Sequence, residues 1–375
     1  MATSTYWARE GAPTSNEDDL IKNTTLRAID EAMPIEQARG HLGMSQIGKT
    51  DERSLWFKYR WSLPDKPLAR VLRIFRVGHI LEAEVIALLR NIPGVTVHEK
   101  NPQTGAQFNF SFLGGHFSGS MDGCIVGIPE APATWHVLEI KTVSSKRFAV
   151  LQKQGVEQWS PEYYGQLQCY MGASGMDRAL FVAYNKDNSE LYIERVKLEP
   201  MFFDSMIARA ERLITHSEPP ASSYPKREWF EAKFMSEEAQ AIYWGDTLPA
   251  PNCRNCRFAV ARMDLNNGAW WCTPKQSDLS IGSQRVGCNN HNYLPALMPT
   301  STIKDLGLVT ARYVTEDNIG FVNGYSKEPQ AHVFSSSELF AISKAGLNAA
   351  TLTDSVVSEF RMVMGATVKS MEVVL

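Results

Sequence analysis

The sequence predicts an α/β fold in which a central mixed β-sheet carries helices on both faces. Residues 68–91 place apolar side chains at helical spacing and stop at an Asn-Ile-Pro-Gly turn. Strand patterns follow this helix, and a second helix separates them from two further strand patterns that form a hairpin. A third helix follows the hairpin. Helices that alternate with strands in this order pack most economically on the two faces of one sheet.

The elements before the first long helix are short. Residues 1 to about 35 are polar and predict a segment that is loosely ordered until LRAIDEAM at 26–33. The stretch HLGMSQIGKTDERSLWFKYRW, which follows Gln37, predicts a turn and then a short amphipathic helix. Pro64 and Pro67 interrupt that helix, because proline lacks the backbone N–H that a helix interior needs.

The elements of the sheet follow in order. TVHEK, AQFNFSFLGGHFSGSMDG and WHVLEIKTV are strand patterns. Ser160 and Pro161 are typical of a helix start, as cap and first-turn residue, and the helix runs until Gly175. RALFVAYNK and ELYIERVKL flank a turn at 187–189 and predict a hairpin. The helix MFFDSMIARAERLITH comes next and ends before Pro219.

The rest of the chain predicts smaller units. Residues 226–246 are predicted to be helical, and 251–295 show little regular pattern. A hairpin around Asn318 and a helix that begins near Ser335 are expected after residue 300. We therefore divide the chain into a polar N-terminal segment (1–36), a core (37–246), a cysteine-rich segment (247–298) and a small α+β C-terminal module (299–375).

Composition excludes some classes of protein. The chain has 375 residues, of which 44% are hydrophobic and 21% charged, as in ordinary globular proteins. No apolar run approaches the roughly 20 residues that span a bilayer. The first twenty residues show no basic region followed by an apolar stretch, so we expect no secretory signal and a cytoplasmic protein.

The formal net charge of −3 gives no global argument for nucleic acid, but a local one exists. Arg70, Arg73 and Arg76 recur at three-residue spacing and share one face of the first long helix. Such a face can meet phosphates, or it can simply be solvated.

The stretch from Gly119 to Lys141 carries the strongest chemical signal. Glu139 and Lys141 alternate with Ile140 on a strand, so they point to one face while Ile140 points into the core. Asp122 closes the preceding apolar segment. Carboxylates and an amine on a buried strand are costly to desolvate, and a metal with a water to activate would explain them.

Further polar residues join this group by spacing. Glu82 lies on the helix that carries the arginines, and His79 shares its face. Gln166 and Tyr170 are four residues apart on the helix that follows the strand. We interpret His79 as locally satisfied and His116 as structural.

The ordered series Glu82, GSMD at Asp122, EIK at Glu139 and Lys141, and QLQCY at Gln166 and Tyr170 resembles the PD-(D/E)XK nuclease superfamily. It is most similar to the RecB-like branch of phage exonucleases and CRISPR-adaptation nucleases, over roughly residues 40–295. The resemblance implies a restriction-endonuclease-like core. Met121 replaces the proline of the family motif, a position that binds no metal.

The resemblance also implies roles for these residues. Asp122, Glu139, Glu82 and the Ile140 carbonyl would bind Mg²⁺ or Mn²⁺, for which hard oxygen ligands are suited. Lys141 would orient the attacking water or stabilise developing charge. Gln166 and Tyr170 would hold the site or contact the DNA backbone.

The cysteines predict a separate metal site. Cys253 and Cys256 form a CxxC pair, and Cys272 and Cys288 follow after fifteen residues each. This pattern favours structural zinc, with His291 as an alternative ligand. Cys124 and Cys169 are expected to be core residues.

An iron–sulfur cluster is the competing assignment, because many RecB-like nucleases carry one. Thr50, Ala232 and Met235 stand where the family commonly has cysteines, and none of them can supply a thiolate. We therefore expect no iron–sulfur cluster, although the cysteine site leaves zinc and iron open.

The function that we expect is metal-dependent DNA exonuclease activity in phage DNA recombination, repair or processing. A structure-specific or nicking endonuclease and a non-catalytic DNA-binding recombination accessory protein are the alternatives. DNA is the expected partner, with a phage recombination or single-strand-binding protein as a further one and no membrane. Digestion polarity, strand preference and oligomeric state stay open.

Overall fold

The computed structural model describes residues 15–34, 37–64, 69–229, 235–298, 301–308, 310–315, 320–324 and 332–346. Its helices are α1 (Ser15–Glu31), α2 (Glu52–Tyr59), α3 (Ala69–Arg90), α4 (Ser145–Trp159), α5 (Pro161–Ser174), α6 (Pro200–Thr215), α7 (Glu237–Trp244), α8 (Ile281–Val286) and α9 (Ser336–Lys344). Its first strands are β1 (Leu42–Gly43), β2 (Thr96–His98), β3 (Asn109–Phe112), β4 (Phe117–Ser120), β5 (Gly123–Val126), β6 (His136–Val143), β7 (Arg178–Asn185) and β8 (Leu191–Lys197). The later strands are β9 (Ala259–Ala261), β10 (Trp270–Cys272), β11 (Ser277–Leu279), β12 (Ser301–Leu306), β13 (Ala311–Thr315), β14 (Gly320–Asn323) and β15 (Val333–Phe334).

The central sheet has the strand order β2-β5-β6-β7-β8. β6 and β7 run parallel, with Glu139 opposite Phe181, and the other neighbours are antiparallel. A parallel pair needs a crossover connection, which α4 and α5 supply between β6 and β7. The predicted mixed sheet is therefore confirmed.

Helices cover both faces of this sheet. On one face, Leu138 and Ile140 of β6 pack with Val85, Ile86 and Leu89 of α3 in one buried cluster. The apolar side chains of α4 and α5 belong to a second cluster on the other face. β6 is thus buried between two helical layers.

The helix α5 begins and ends as its sequence predicts. The Ser160 Oγ accepts a hydrogen bond from the Tyr163 N–H, Pro161 occupies the first turn, and Gly175 closes the helix at a φ of 75°. Its first turn packs tightly against Gly48, because a Cβ at Gly48 would collide with the Pro161 carbonyl and lie 2.8 Å from the Glu162 Cα.

Some elements differ from their prediction. The helix α4 was not predicted, because its apolar residues are sparse and Gly155 interrupts its helical geometry at a φ of 71°. The apolar stretch after residue 106 forms three strands, β3 to β5, of which β3 and β4 form a separate sheet with β1 in the order β1-β4-β3. Residues 15–31 are helical and not loosely ordered, whereas 1–14 lie outside the described residues.

The predictions for residues 226–295 are also corrected. Of residues 226–246, the helix covers only α7, which the Ser236 side chain caps, while 230–234 lie outside the described residues. The cysteine-rich segment contains the sheet β11-β10-β9 and the helix α8. Its strands are three residues long, too short for a period to be visible.

The C-terminal part forms a sheet of order β12-β13-β14-β15 with α9. Ser335 caps α9 in a capping box with Glu338, so the helix begins where its sequence predicts. β13 and β14 are antiparallel, as a hairpin requires, but its turn at Asn318 lies outside the described residues. None of the helices in the described part of the chain is long and apolar enough to cross a membrane.

Candidate active site

Glu139 and Lys141 lie on the same face of β6, the face opposite Ile140 and α3. The Glu139 side chain is completely buried, and the Lys141 side chain is 22% exposed. The Lys141 ammonium donates a hydrogen bond to the Glu139 Oε1. The pair therefore forms a buried contact that opens to solvent on the lysine side.

Gln166 of α5 holds the same carboxylate from the helical layer. Its Nε2 donates to the Glu139 Oε1 at 2.8 Å, in a buried environment. Tyr170, one turn later, is buried and contacts the Gln166 side chain, and burial followed by the Glu139 charge raises its pKa. The structure thus brings both residues of the predicted helix face to the Glu139 side of the sheet.

Asp122 lies directly before β5, at the edge of β6. Its Oδ2 accepts a hydrogen bond from the main-chain N–H of Ile140 at 3.3 Å. The N–H and C=O of one strand residue face the same neighbour, so the Ile140 carbonyl also faces this edge. The two predicted oxygen ligands are therefore on one side of the strand.

Glu82 approaches from α3, the layer opposite α5. The side chain of Glu82 is 29% exposed and lies 3.6 Å from the Nδ1 of His79. Burial and then the Asp122 carboxylate raise its pKa, which means that the two carboxylates act on each other. The site therefore draws side chains from both helical layers at the point where β5 begins.

Three carboxyl groups and one amine act on one another in the site. Burial and the Asp122 carboxylate raise the pKa of Glu139, against the opposing effect of Lys141. Burial would lower the pKa of Lys141, but the Glu139 and Asp122 carboxylates outweigh it and raise that pKa. We hold that Lys141 stays an ammonium, because it faces the charges of several carboxylates.

The donor atoms suit a hard cation. The Glu139 Oε2 is buried and has no hydrogen-bond partner among the described residues, although a buried carboxylate oxygen ordinarily needs one. Oxygen ligands of this kind fit Mg²⁺ or Mn²⁺. Among the residues that the structure describes, no three His, Cys, Asp or Glu side chains are placed to hold one ion as they stand. Joint ligation by Glu82, Asp122 and Glu139 would therefore require their side chains to turn.

One residue of the site was missed from the sequence. The ring of Tyr163 lies over the Lys141 Nζ, 5.2 Å from its centroid, and its charge interaction helps to raise the Lys141 pKa. Tyr163 stands three residues before Gln166 on α5, so helical spacing places it on the same face. That spacing was the available signal.

The predicted arginine face is divided in the structure. Arg73 forms an ion pair with Asp30 of α1, whereas Arg70 and Arg76 are exposed on α3. His116 is fully buried between the Tyr59 hydroxyl and the Ala269 carbonyl, as a structural histidine would be.

The four clustered cysteines line a single cavity of about 20 Å³ that His291 also lines. Cys288 is exposed, and the other three are buried. Cys124 and Cys169 are buried among apolar side chains of the core, as predicted.

No protein-family model matches the sequence, and no curated protein matches it. A crystal structure of LHK-Exo in complex with dAMP is similar, with a TM-score of 0.34 and 17% identity over 46% of this chain and 86% of that chain. The alkaline exonuclease LHK-Exo from Laribacter hongkongensis gives a TM-score of 0.35 at 17% identity over 50% and 90%, and SSO0001 gives 0.31 at 16% over 52% and 85%.

Proposed function

We propose that this protein is a metal-dependent DNA exonuclease of the PD-(D/E)XK type that hydrolyses phosphodiester bonds. The observation that carries the proposal is the buried Glu139 carboxylate. Its Oε1 accepts from Lys141 and Gln166, while its Oε2 has no hydrogen-bond partner in the part of the chain that the structure describes. A buried, unpartnered carboxylate oxygen is costly in a merely structural site, and it is what a cation ligand requires.

The residues of the site have separable roles. A bound Mg²⁺ or Mn²⁺ would polarise the scissile phosphate and lower the pKa of an attacking water. The oxygen ligands of this ion would come from Glu139, Asp122, Glu82 and the Ile140 carbonyl. Lys141 stabilises negative charge that develops on the phosphate, because its ammonium is held beside the site and reaches solvent. Gln166 fixes the Glu139 carboxylate, and Tyr170 supports Gln166.

The choice of DNA as substrate rests on the motif resemblance and on α3. Arg70 and Arg76 of this helix are exposed to solvent, and Glu82 lies on the same helix. A cationic helix beside a phosphodiester site can position the backbone of a nucleic acid. We propose DNA processing in a phage, in the cytoplasm of a bacterial host, as the setting.

End-labelled linear DNA provides the test. We expect degradation with Mg²⁺ or Mn²⁺, none with chelator, and a loss of about 10²–10³-fold in kcat with Lys141→Ala. Lys153→Ala, at an exposed position of α4, is the matched control and should leave the rate unchanged. Equal degradation by Lys141→Ala and wild type, or with and without chelator, would refute the site.

Covalently closed circular DNA separates the exonuclease from its nearest rival. An exonuclease needs an end and leaves the circle intact, whereas a structure-specific or nicking endonuclease opens it. Retardation of DNA on a gel without any cleavage under either condition would instead indicate the non-catalytic accessory protein.

A further inference from the structure

Cysteines from different parts of the cysteine-rich segment line one small cavity. Its volume of about 20 Å³ is close to the space of one water molecule, which is the room that a single ion needs. Four cysteines line this cavity: Cys253, Cys256, Cys272 and Cys288.

One backbone group and one cationic side chain lie at these sulfurs. The backbone N–H of Asn292 donates to the Cys256 Sγ at 3.5 Å, a contact that a charged sulfur accepts more strongly than a neutral one. Lys275 also lines the cavity, so a positive charge is available beside the cysteines. Both groups would stabilise thiolates once a cation has displaced the thiol protons.

His291 gives a second, independent observation. Its Nε2 lies 3.0 Å from the Asn252 carbonyl and 2.8 Å from the Asn255 Oδ1. A carbonyl only accepts, so the Nε2 carries the proton and the Nδ1 holds a free lone pair. That Nδ1 is buried, has no hydrogen-bond partner among the described residues, and belongs to a ring that lines the cavity. The cavity therefore has an unused nitrogen donor beside its sulfurs.

We propose that the cavity binds one thiophilic divalent cation of the zinc type through Cys253, Cys256, Cys272 and Cys288. Ligation releases the four thiol protons, so that four thiolates around one dication carry two net negative charges. As they stand, the described side chains do not form a set that could hold an ion, so binding draws the sulfurs together. His291 is the neutral donor that competes with Cys288 for the fourth position.

The position of the cavity gives the ion a structural task. The loop after the first cysteine pair meets the turn before β4, where the Gly268 N–H donates to the Gly114 carbonyl at 2.9 Å. The His116 ring of the same turn bonds the Ala269 carbonyl at 3.0 Å. β4 leads directly to Asp122. The ion would thus brace the strand that presents Asp122, without taking part in the chemistry.

Metal analysis of the full chain, purified without oxygen and without added metal, tests the site. We expect about one zinc per chain, as in a structural site. Glu139→Gln and Cys169→Ser should keep this zinc, because neither residue lines the cavity. Cys256→Ser and Cys272→Ser should lose it. Stoichiometric iron with acid-labile sulfide, or zinc retained by both cysteine variants, overturns the proposal.

A second measurement uses the wild-type protein and does not depend on variant folding. Cys288 is exposed, so as a free thiol it should react at once with a thiol reagent. As a ligand it should react only after a chelator removes the ion. Immediate reaction of Cys288 in the metal-loaded protein, or zinc retained by Cys288→Ser and lost by His291→Gln, overturns its assignment as the fourth ligand.

Discussion

Neighbouring glutamines on α5 have different tasks. Gln166 donates to the Glu139 Oε1, whereas Gln168 bridges the Lys197 carbonyl and the Glu199 N–H, each at 2.8 Å, at the end of β8. Both are buried, so their contacts and not their exposure separate the roles. We therefore propose that Gln166 serves the chemistry of the site and that Gln168 stabilises the fold.

Gln166→Leu should therefore lower kcat by about 10–100-fold, as losses of groups that orient metal ligands do. The unfolding midpoint should change little beyond the cost of one hydrogen bond. Gln168→Leu is the matched control and should lower thermal stability while kcat stays near wild type. Similar effects of both substitutions on kcat would contradict the division of roles.

Tyr163 fixes the lysine through its ring. A cation over an aromatic face gains about 0.5–2 kcal/mol, which corresponds to about 2–30-fold in rate if the interaction persists in the transition state. Tyr163→Leu should lower kcat by this factor and leave KM unchanged. Tyr163→Phe keeps the ring and should restore the rate, whereas an equal loss in both variants would assign the effect to the hydroxyl.

At the scale of elements, a contact between glycines sets the distance of α5 from the turn at residues 44–48. A Cβ at Gly165 would lie 3.0 Å from the Gly48 Cα, and one at Gly48 would meet the backbone of Glu162. Backbone cannot yield as a flexible side chain does. Because Gly48 and Gly165 have no Cβ, the helix that carries Gln166 and Tyr170 can pack directly against the turn.

Gly48→Ala should destabilise the protein by about 1–3 kcal/mol, the usual cost of overpacking. Chemical denaturation at neutral pH measures this free energy of unfolding. Gly282→Ala is the control, because a Cβ there would meet none of the described atoms within 4 Å. Equal stability of the two variants would mean that α5 moves away freely.

The elements also show where sequence patterns succeed. The caps of α5 and α9 involve residues close together in the sequence. Ser160 and Ser335 therefore predict these helix starts without tertiary information. The helix α4 is held by non-local contacts, such as the Val156 N–H with the Glu194 carboxylate at 2.8 Å, and its sequence carries little sign of them. Alternation on β6 predicted the face of Glu139 and Lys141, but the ring of Tyr163 over the lysine needed the packing of α5.

At the scale of the whole molecule, the buried arginine Arg254 joins the cysteine-rich segment to α2. Its Nη1 donates to the Tyr59 carbonyl at 3.2 Å and its guanidinium lies 3.7 Å from the ring centroid of Trp61. One continuous cluster of buried apolar side chains runs from Leu42 to Ile342. Substitutions that disrupt the cysteine-rich segment should therefore lower the free energy of unfolding of the whole molecule.

The pH dependence of stability should report the same junction. Burial lowers the pKa of His116 to about 4, below the ordinary histidine value of 6.5. The contribution of the neutral His116 ring to the free energy of unfolding is complete above pH 6.5. It is lost as the pH falls toward 4, because the unfolded chain takes up the proton first.

His116→Gln should thus remove about 1–2 kcal/mol from the change in the free energy of unfolding between pH 7 and pH 5. Denaturant titrations at both pH values measure it. His216→Gln, at an exposed position, is the control and should keep the wild-type slope. An unchanged slope in His116→Gln would mean that other groups govern acid stability.

The hydrogen bond from the Ile140 N–H to Asp122 has a consequence for how this site can vary. Because the donor is main chain, every residue except proline retains it, whatever its side chain. The side chain at position 140 is then constrained by its packing in the apolar cluster on the α3 side, where Ile140 packs with Leu138. Valine or leucine there should leave the Asp122 carboxylate in place. The middle residue of the Glu-Ile-Lys triplet can therefore vary among apolar residues, whereas we expect its two neighbours, as proposed site residues, to tolerate no substitution.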